Sequence, residues 1–285
     1  MRAKPYYSVR VGKHPSDGRV NLPTLRKLLY ALYNDFEERS YFQELTGYRC
    51  VDDGLVTGLA GKDVDAFVLR KLRKPGLWPI SNSSHGLTEE DVFDLLEFLH
   101  DYVSKPSEGQ YHDFGNCGWH YSSFDRVAGR KEFREEVNDL IRDYGDGFEL
   151  SNDGEILSRP KEEVASILDA DLPTIDPENV SKRVAAATRK FRSRHASQEE
   201  RGDAIRDLAD VLEFLRPRLK EVLASRDEQD LFNIVNNFGI RHHNQLQKTG
   251  YNKLIWYSWM FYFFLATIHA AVRLISQSSS PKSEG

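Results

Sequence analysis

The feature that most limits what this chain can become is its last long segment, LIWYSWMFYFFLATIHAAV. It is nineteen residues between Lys253 and Arg273 without a charge. A helix of that length just reaches the roughly 18 to 20 residues that a bilayer crossing needs. The run is aromatic-rich, carries His269 near one end, and stands alone in a chain with 29% charged residues. The expected form is therefore a helix buried on all sides by other helices, with a membrane anchor as the alternative.

The residues upstream can supply such partners. Residues 177–276 contain only three glycines and read as nearly continuous helix. Val184, Thr188, Phe191 and His195 recur on one helical face, and Ile205, Leu208, Leu212, Leu215 and Leu219 form the next stripe. Pro217 is expected to kink that second helix or to begin a fresh turn. Asp227 can cap a shorter helix carrying Leu231, Ile234, Val235 and Phe238. Together these predict a four- or five-helix bundle over 177–276, followed by a disordered tail at 277–285.

Residues 1–160 differ in composition, with most of the glycines and shorter patterns. Pro23 opens a helix with Leu25, Leu28, Leu29, Leu32 and Phe36 on one face. Val64, Phe67, Val68 and Leu72 mark a second, stopped by Pro75 and Gly76. Thr88 caps a third, with Val92, Leu95, Leu96 and Leu99 inward, and a fourth runs from about Arg130 with Phe133, Val137, Leu140 and Ile141. FELSNDGEIL alternates around Asp153-Gly154, which predicts a β-hairpin near 148–157. The prolines and acids of 161–176 read as a linker. The expected fold is mainly α, a helical module with a small hairpin ahead of a bundle.

Four groups of side chains could carry chemistry. FGIRHHNQLQKTGYN sets Arg241, His242, His243 and Asn244 side by side at a helix start, with Lys248 one turn on. A guanidinium fork and free backbone N–H groups suit a phosphate, and a histidine can move a proton near neutrality. The bland alternative is a polar joint that caps one helix and holds another at an angle. Lys182, Arg183, Arg189, Lys190 and Arg194 lie in SKRVAAATRKFRSRH with no acid between them, either as a track for RNA phosphates or as a solvated face. In YHDFGNCGWHYSSFD, His112, Cys117 and His120 are potential zinc ligands. Cys50, His100 or Asp113 would have to supply a fourth. The expectation for that stretch is instead a packed Gly- and aromatic-rich loop, with no metal and no cofactor. GLAGKD, fourth, has the wrong glycine spacing for a phosphate loop.

With pI near 6.0 and a net charge of −5, RNA contact would have to come from a local basic patch. Two cysteines make no disulfide framework and point to a reducing cytoplasm, and no apolar signal segment is read at the start of the chain.

The C-terminal hundred residues resemble a HEPN domain, the helical-bundle family of prokaryotic toxins and abortive-infection (antiphage) proteins. The IRHHN opening, the long apolar helix after it, and the basic and acidic helices before it carry the likeness. FDRVAGRKEFREEVNDLIRDYGDGFELSNDGEI is similar to helical modules fused ahead of such domains. The resemblance implies metal-independent RNA cleavage by a homodimer, with an antitoxin or regulatory protein as a further partner. It assigns the phosphate-holding role to Arg241 and the polar position to His242. The family's histidine, five to seven places after the arginine, would fall on Leu246, Gln247 or Lys248. Two readings stay open. Either His242 or His243, with Asn244, works across a dimer interface, or the module is non-catalytic and binds RNA, a nucleotide or a protein.

Overall fold

The computed structural model describes residues 7–11, 20–81, 86–159, 167–168, 170–223, 232–233 and 253–279. The chain divides into two compact units, Met1–Arg159 and Pro160–Gly285. It is mainly α, and the strands among the described residues form three separate two-stranded antiparallel sheets.

In the first unit, Asn21 caps α1 (Leu22–Glu38) by accepting from the Thr24 N–H at 3.0 Å, with Pro23 in the first turn. The expected face is inward: Leu25, Leu29, Leu32 and Phe36 are buried, and Leu28 is half-buried. A single turn, α2 (Gln43–Thr46), leads into β1 (Tyr48–Cys50) and β2 (Gly54–Val56). Next come α3 (Val64–Leu72) and α4 (Glu89–Tyr102), the latter opened by the Thr88–Asp91 capping box. The strands β3 (Lys105–His112) and β4 (Gly118–Asp125) then pair from Lys105↔Asp125 to His112↔Gly118, with a register shift at Pro106–Gly109.

This hairpin replaces the loop expected from the sequence. β3 is mostly exposed and neither strand has a fully buried residue, so the alternation of apolar and polar residues that marks a half-buried strand is weak there. Asp125 ends β4 and also caps α5 (Arg126–Ile141), which therefore begins four residues before the expected Arg130. The hairpin predicted around Asp153-Gly154 is present as β5 (Phe148–Leu150) and β6 (Ile156–Ser158), closed by a five-residue connection.

Aromatic rings knit these short elements together. Phe36 meets Phe133 edge-on at 5.1 Å and Tyr41 at 5.0 Å, while Phe93 meets Phe148 at 5.0 Å. Arg39 lies 4.5 Å over both Phe36 and Tyr41 and pairs with Asp35, Glu132 and Glu136.

The second unit holds the two longest helices among the described residues. Asp176 caps a π-helical turn, Pro177–Ser181, that feeds α6 (Lys182–Arg192). The Ser197–Glu200 capping box starts α7 (Gln198–Val222), which runs through Pro217 without ending. The last helix, α8 (Lys253–Ser279), extends into the expected tail. The interface of α6 with α8 includes Phe191 stacked on Phe261 at 3.9 Å and 7°. His195 lies beyond the end of α6 and is exposed, so it does not share the buried face of Val184 and Phe191. The stretch expected to link the units contributes Ile167, Leu168, Leu172 and Ile175 to this second core. Asp227, Leu231, Ile234, Val235 and Phe238 lie outside the described residues.

The apolar run is buried along one side rather than all round. Met260, Phe261, Phe264, Leu265, Ile268, Ala271, Val272 and Ile275 are covered, at the spacing of one helical face. Ile255, Trp256 and Trp259 remain exposed. Among the described residues this is the one helix long and apolar enough to cross a membrane, and half of that window is buried against the unit.

Candidate functional site

The cluster with the most chemistry lies in the first unit. Cys50, His112, Cys117 and His120 each offer one ligand atom, and all four atoms fall within 4.8 Å of one another. Two hairpins deliver them. Cys50 ends β1 at the Val51–Asp53 turn, whereas His112, Cys117 and His120 surround the β3–β4 connection. The short α2 fixes the longer hairpin. Gln43 donates to the Trp119 carbonyl at 2.9 Å and accepts from the Tyr121 N–H at 2.7 Å, acting as an extra strand residue beside β4. Arg126, just after β4, grips Glu44 with two bonds of 3.1 and 2.7 Å; burial raises the Glu44 pKa, but the Arg126 and Ser104 hydrogen bonds and the Arg126 charge outweigh it and hold the carboxyl below its usual value.

Each donor has a defined neighbour. His112 Nδ1 is 3.5 Å from Cys50 Sγ, and its Nε2 is 3.3 Å from an Asp52 carboxylate oxygen. The His120 ring stacks on Tyr48 at 4.0 Å and 17°, and its Nε2 is buried with no hydrogen-bond partner among the described residues. Backbone N–H groups point at both sulfurs, Asp52 N–H at Cys50 (3.4 Å) and Val51 N–H at Cys117 (3.3 Å). A cleft of about 610 Å³ opens beside the cluster, walled partly by Asp52, Asp53, Glu108 and Tyr111. Its carboxylates favour a cation and disfavour a phosphate backbone.

Of the three fourth ligands considered from the sequence, Cys50 is the one the fold brings in. His100 is buried elsewhere, against Gly154, and Asp113 is not among the clustered donors. The expected packed loop is instead the end of a β-hairpin, and it carries a convergent set of donors that could hold a metal ion. Asp52 was not foreseen at all; its only signal is its place two residues after a cysteine in the turn CVDDG.

The second unit answers differently. Arg241, His242, His243, Asn244 and Lys248 lie outside the described residues. The basic helix is partly neutralised within its own unit: Lys182 pairs with Glu178 at 2.5 Å, and Lys190 pairs with Asp207. Arg183 and Arg189 are exposed on α6, but Arg194 is half-buried beyond the helix end, so the proposed track is not one continuous face. On α8, His269 is buried with Nδ1 lacking a partner among the described residues, and burial first, then Arg273, holds its pKa below the ordinary histidine value.

Compared with protein-family models, with curated proteins and with solved structures, the chain finds no match in any of the three.

Proposed function

We propose that the protein acts on RNA through its second unit, as a HEPN-like, metal-independent ribonuclease of the antiphage or toxin type. The observation that carries this reading is the construction of the bundle's last helix. α8 packs one apolar face on α6 and α7 and buries His269, whose Nδ1 has no hydrogen-bond partner among the described residues. The polar run Arg241–Asn244 falls in the segment joining α7 to α8. In this reading Arg241 holds the scissile phosphate, and His242 or His243, aided by Asn244, moves the proton between the ribose 2′-OH and the leaving oxygen. Arg183, Arg189 and Lys248 contribute positive charge to the approach of RNA. Two copies of the chain meet through the bundle, and the work is done in the cytoplasm.

The alternative is a HEPN-like module that binds RNA or a protein without cutting. It is favoured by Leu246, Gln247 and Lys248 standing where the family's histidine would be. Cleavage of labelled total RNA in Mg2+-free buffer separates the two. EDTA is avoided because a chelator also competes for any ion at the Cys–His cluster. Wild-type cleavage, lost in both Arg241→Ala and His242→Ala/His243→Ala at unchanged helicity and mass, supports the ribonuclease. Cleavage that survives both substitutions, or never occurs, sinks it.

A further inference from the structure

We propose that Cys50, His112, Cys117 and His120 form a structural Zn2+ site, with Asp52 as the partner that orients His112. This inference is independent of the RNA reading. Two thiolates and two imidazoles are the donor set of closed tetrahedral zinc sites, and softness of this kind selects zinc over magnesium or calcium. With Zn–S near 2.3 Å and Zn–N near 2.05 Å, a tetrahedral S···N edge measures about 3.6 Å. The Cys50 Sγ to His112 Nδ1 distance is 3.5 Å. The donors are thus spaced as ligands of one ion, needing only a small contraction from their 4.8 Å limit.

The surroundings fit the same ion. His112 turns Nδ1 to the sulfur and Nε2 to Asp52, so Nδ1 binds the metal while the Nε2–H is donated to the carboxylate. His120 Nε2, buried and unpaired, is a polar atom whose desolvation is uncompensated until a metal accepts its lone pair. The two N–H···S contacts stabilise negative sulfur, which a bound thiolate is. Two thiolates also balance the charge of one Zn2+.

The backbone is shaped to match. Gly115, Asn116 and Gly118 all take positive φ around Cys117. A Cβ on Gly115 would come within 2.5 Å of Val51 Cγ1, so the glycine lets the longer hairpin close on the Cys50 turn. All four positions being filled by protein, the ion acts as a clamp between the two hairpins rather than as a site for activating water.

The test uses the full chain, free of any histidine tag, purified reduced and without chelator. Native mass spectrometry should find one zinc per chain. Co2+ in its place should give the visible d–d bands of a tetrahedral site and a sulfur-to-metal charge-transfer band. Cys117→Ser and His120→Ala should each abolish one-to-one retention. Asp52→Asn, outside the coordination sphere, should keep the stoichiometry but bind zinc about 10- to 100-fold more weakly. Circular dichroism checks that the variants fold. A reduced wild-type chain that takes up no zinc at equimolar concentration overturns the assignment. So does a Cys117→Ser chain that binds as wild type, or octahedral cobalt spectra.

Discussion

The two units solve the problem of stability in different ways. The second buries one face each of α6, α7 and α8, of which α7 and α8 run for 25 and 27 residues, with apolar residues that recur every three or four positions. The first uses helices of 17 residues or fewer, three isolated hairpins and a core held by edge-to-face rings. Long periodic helices bury enough surface along their own length. Short hairpins do not, and a two-stranded ribbon is marginal by itself. A cross-link between two such ribbons is what the first unit would gain most from, and its Cys–His cluster lies between them.

That contrast can be broken experimentally. The largest effect should come from a zinc chelator at neutral pH, followed by peptide-resolved hydrogen exchange of the full chain. Residues 48–56 and 105–125 should lose protection, while α6, α7 and α8 keep theirs; equal loss in both units would erase the distinction. Core truncation should be costly on either side. Phe133→Ala in the first unit and Phe264→Ala in the second, both fully buried, should each lose about 3 to 5 kcal/mol in urea melts.

Gly154→Ala should destabilise the first unit alone, by at least 1 kcal/mol or so, because φ is +84° and the new Cβ would sit 2.4 Å from His100 Nδ1. Acid gives a graded version of the comparison. His100 and His269 are both held below their ordinary value of 6.5, by burial first and then by Arg130 or Arg273. Each binds its proton more weakly folded than unfolded. The stability they allow is fully present above pH 6.5 and is lost as pH falls toward the folded values. Replacing His269 with Phe should flatten that slope in the second unit only. Smallest, Ser197→Ala should cost about 1 kcal/mol through the lost cap of α7, and Lys190→Ala less than that for a half-exposed pair.

What could be read from the sequence follows the same division. The mainly α class and the faces of α1, α3 and α4 were legible because each is encoded within one turn-by-turn pattern. So was the Thr88 cap, a local signal. The β3–β4 hairpin was not, because none of its strand residues is fully buried and no buried alternation is left to detect. The metal donors were half legible. His112, Cys117 and His120 lie within nine residues, but Cys50 is 62 residues from His112, and only the folded chain selects it over His100 and Asp113. On the bundle side, the length of α8 was legible, but which of its faces is covered depends on α6 and α7.

For the proposed zinc site, that separation implies an order of events as the chain folds. The β3–β4 ribbon is a local structure, and hairpins of this kind close in about 1 to 10 μs. It carries three of the four donors and can hold an ion loosely before the rest of the unit exists. Cys50 must arrive across the whole of α3 and α4, a far slower search. The Cys50 bond is then the last to form, and without zinc the short hairpin keeps the ties that Gln43 and Glu44 make to the long one.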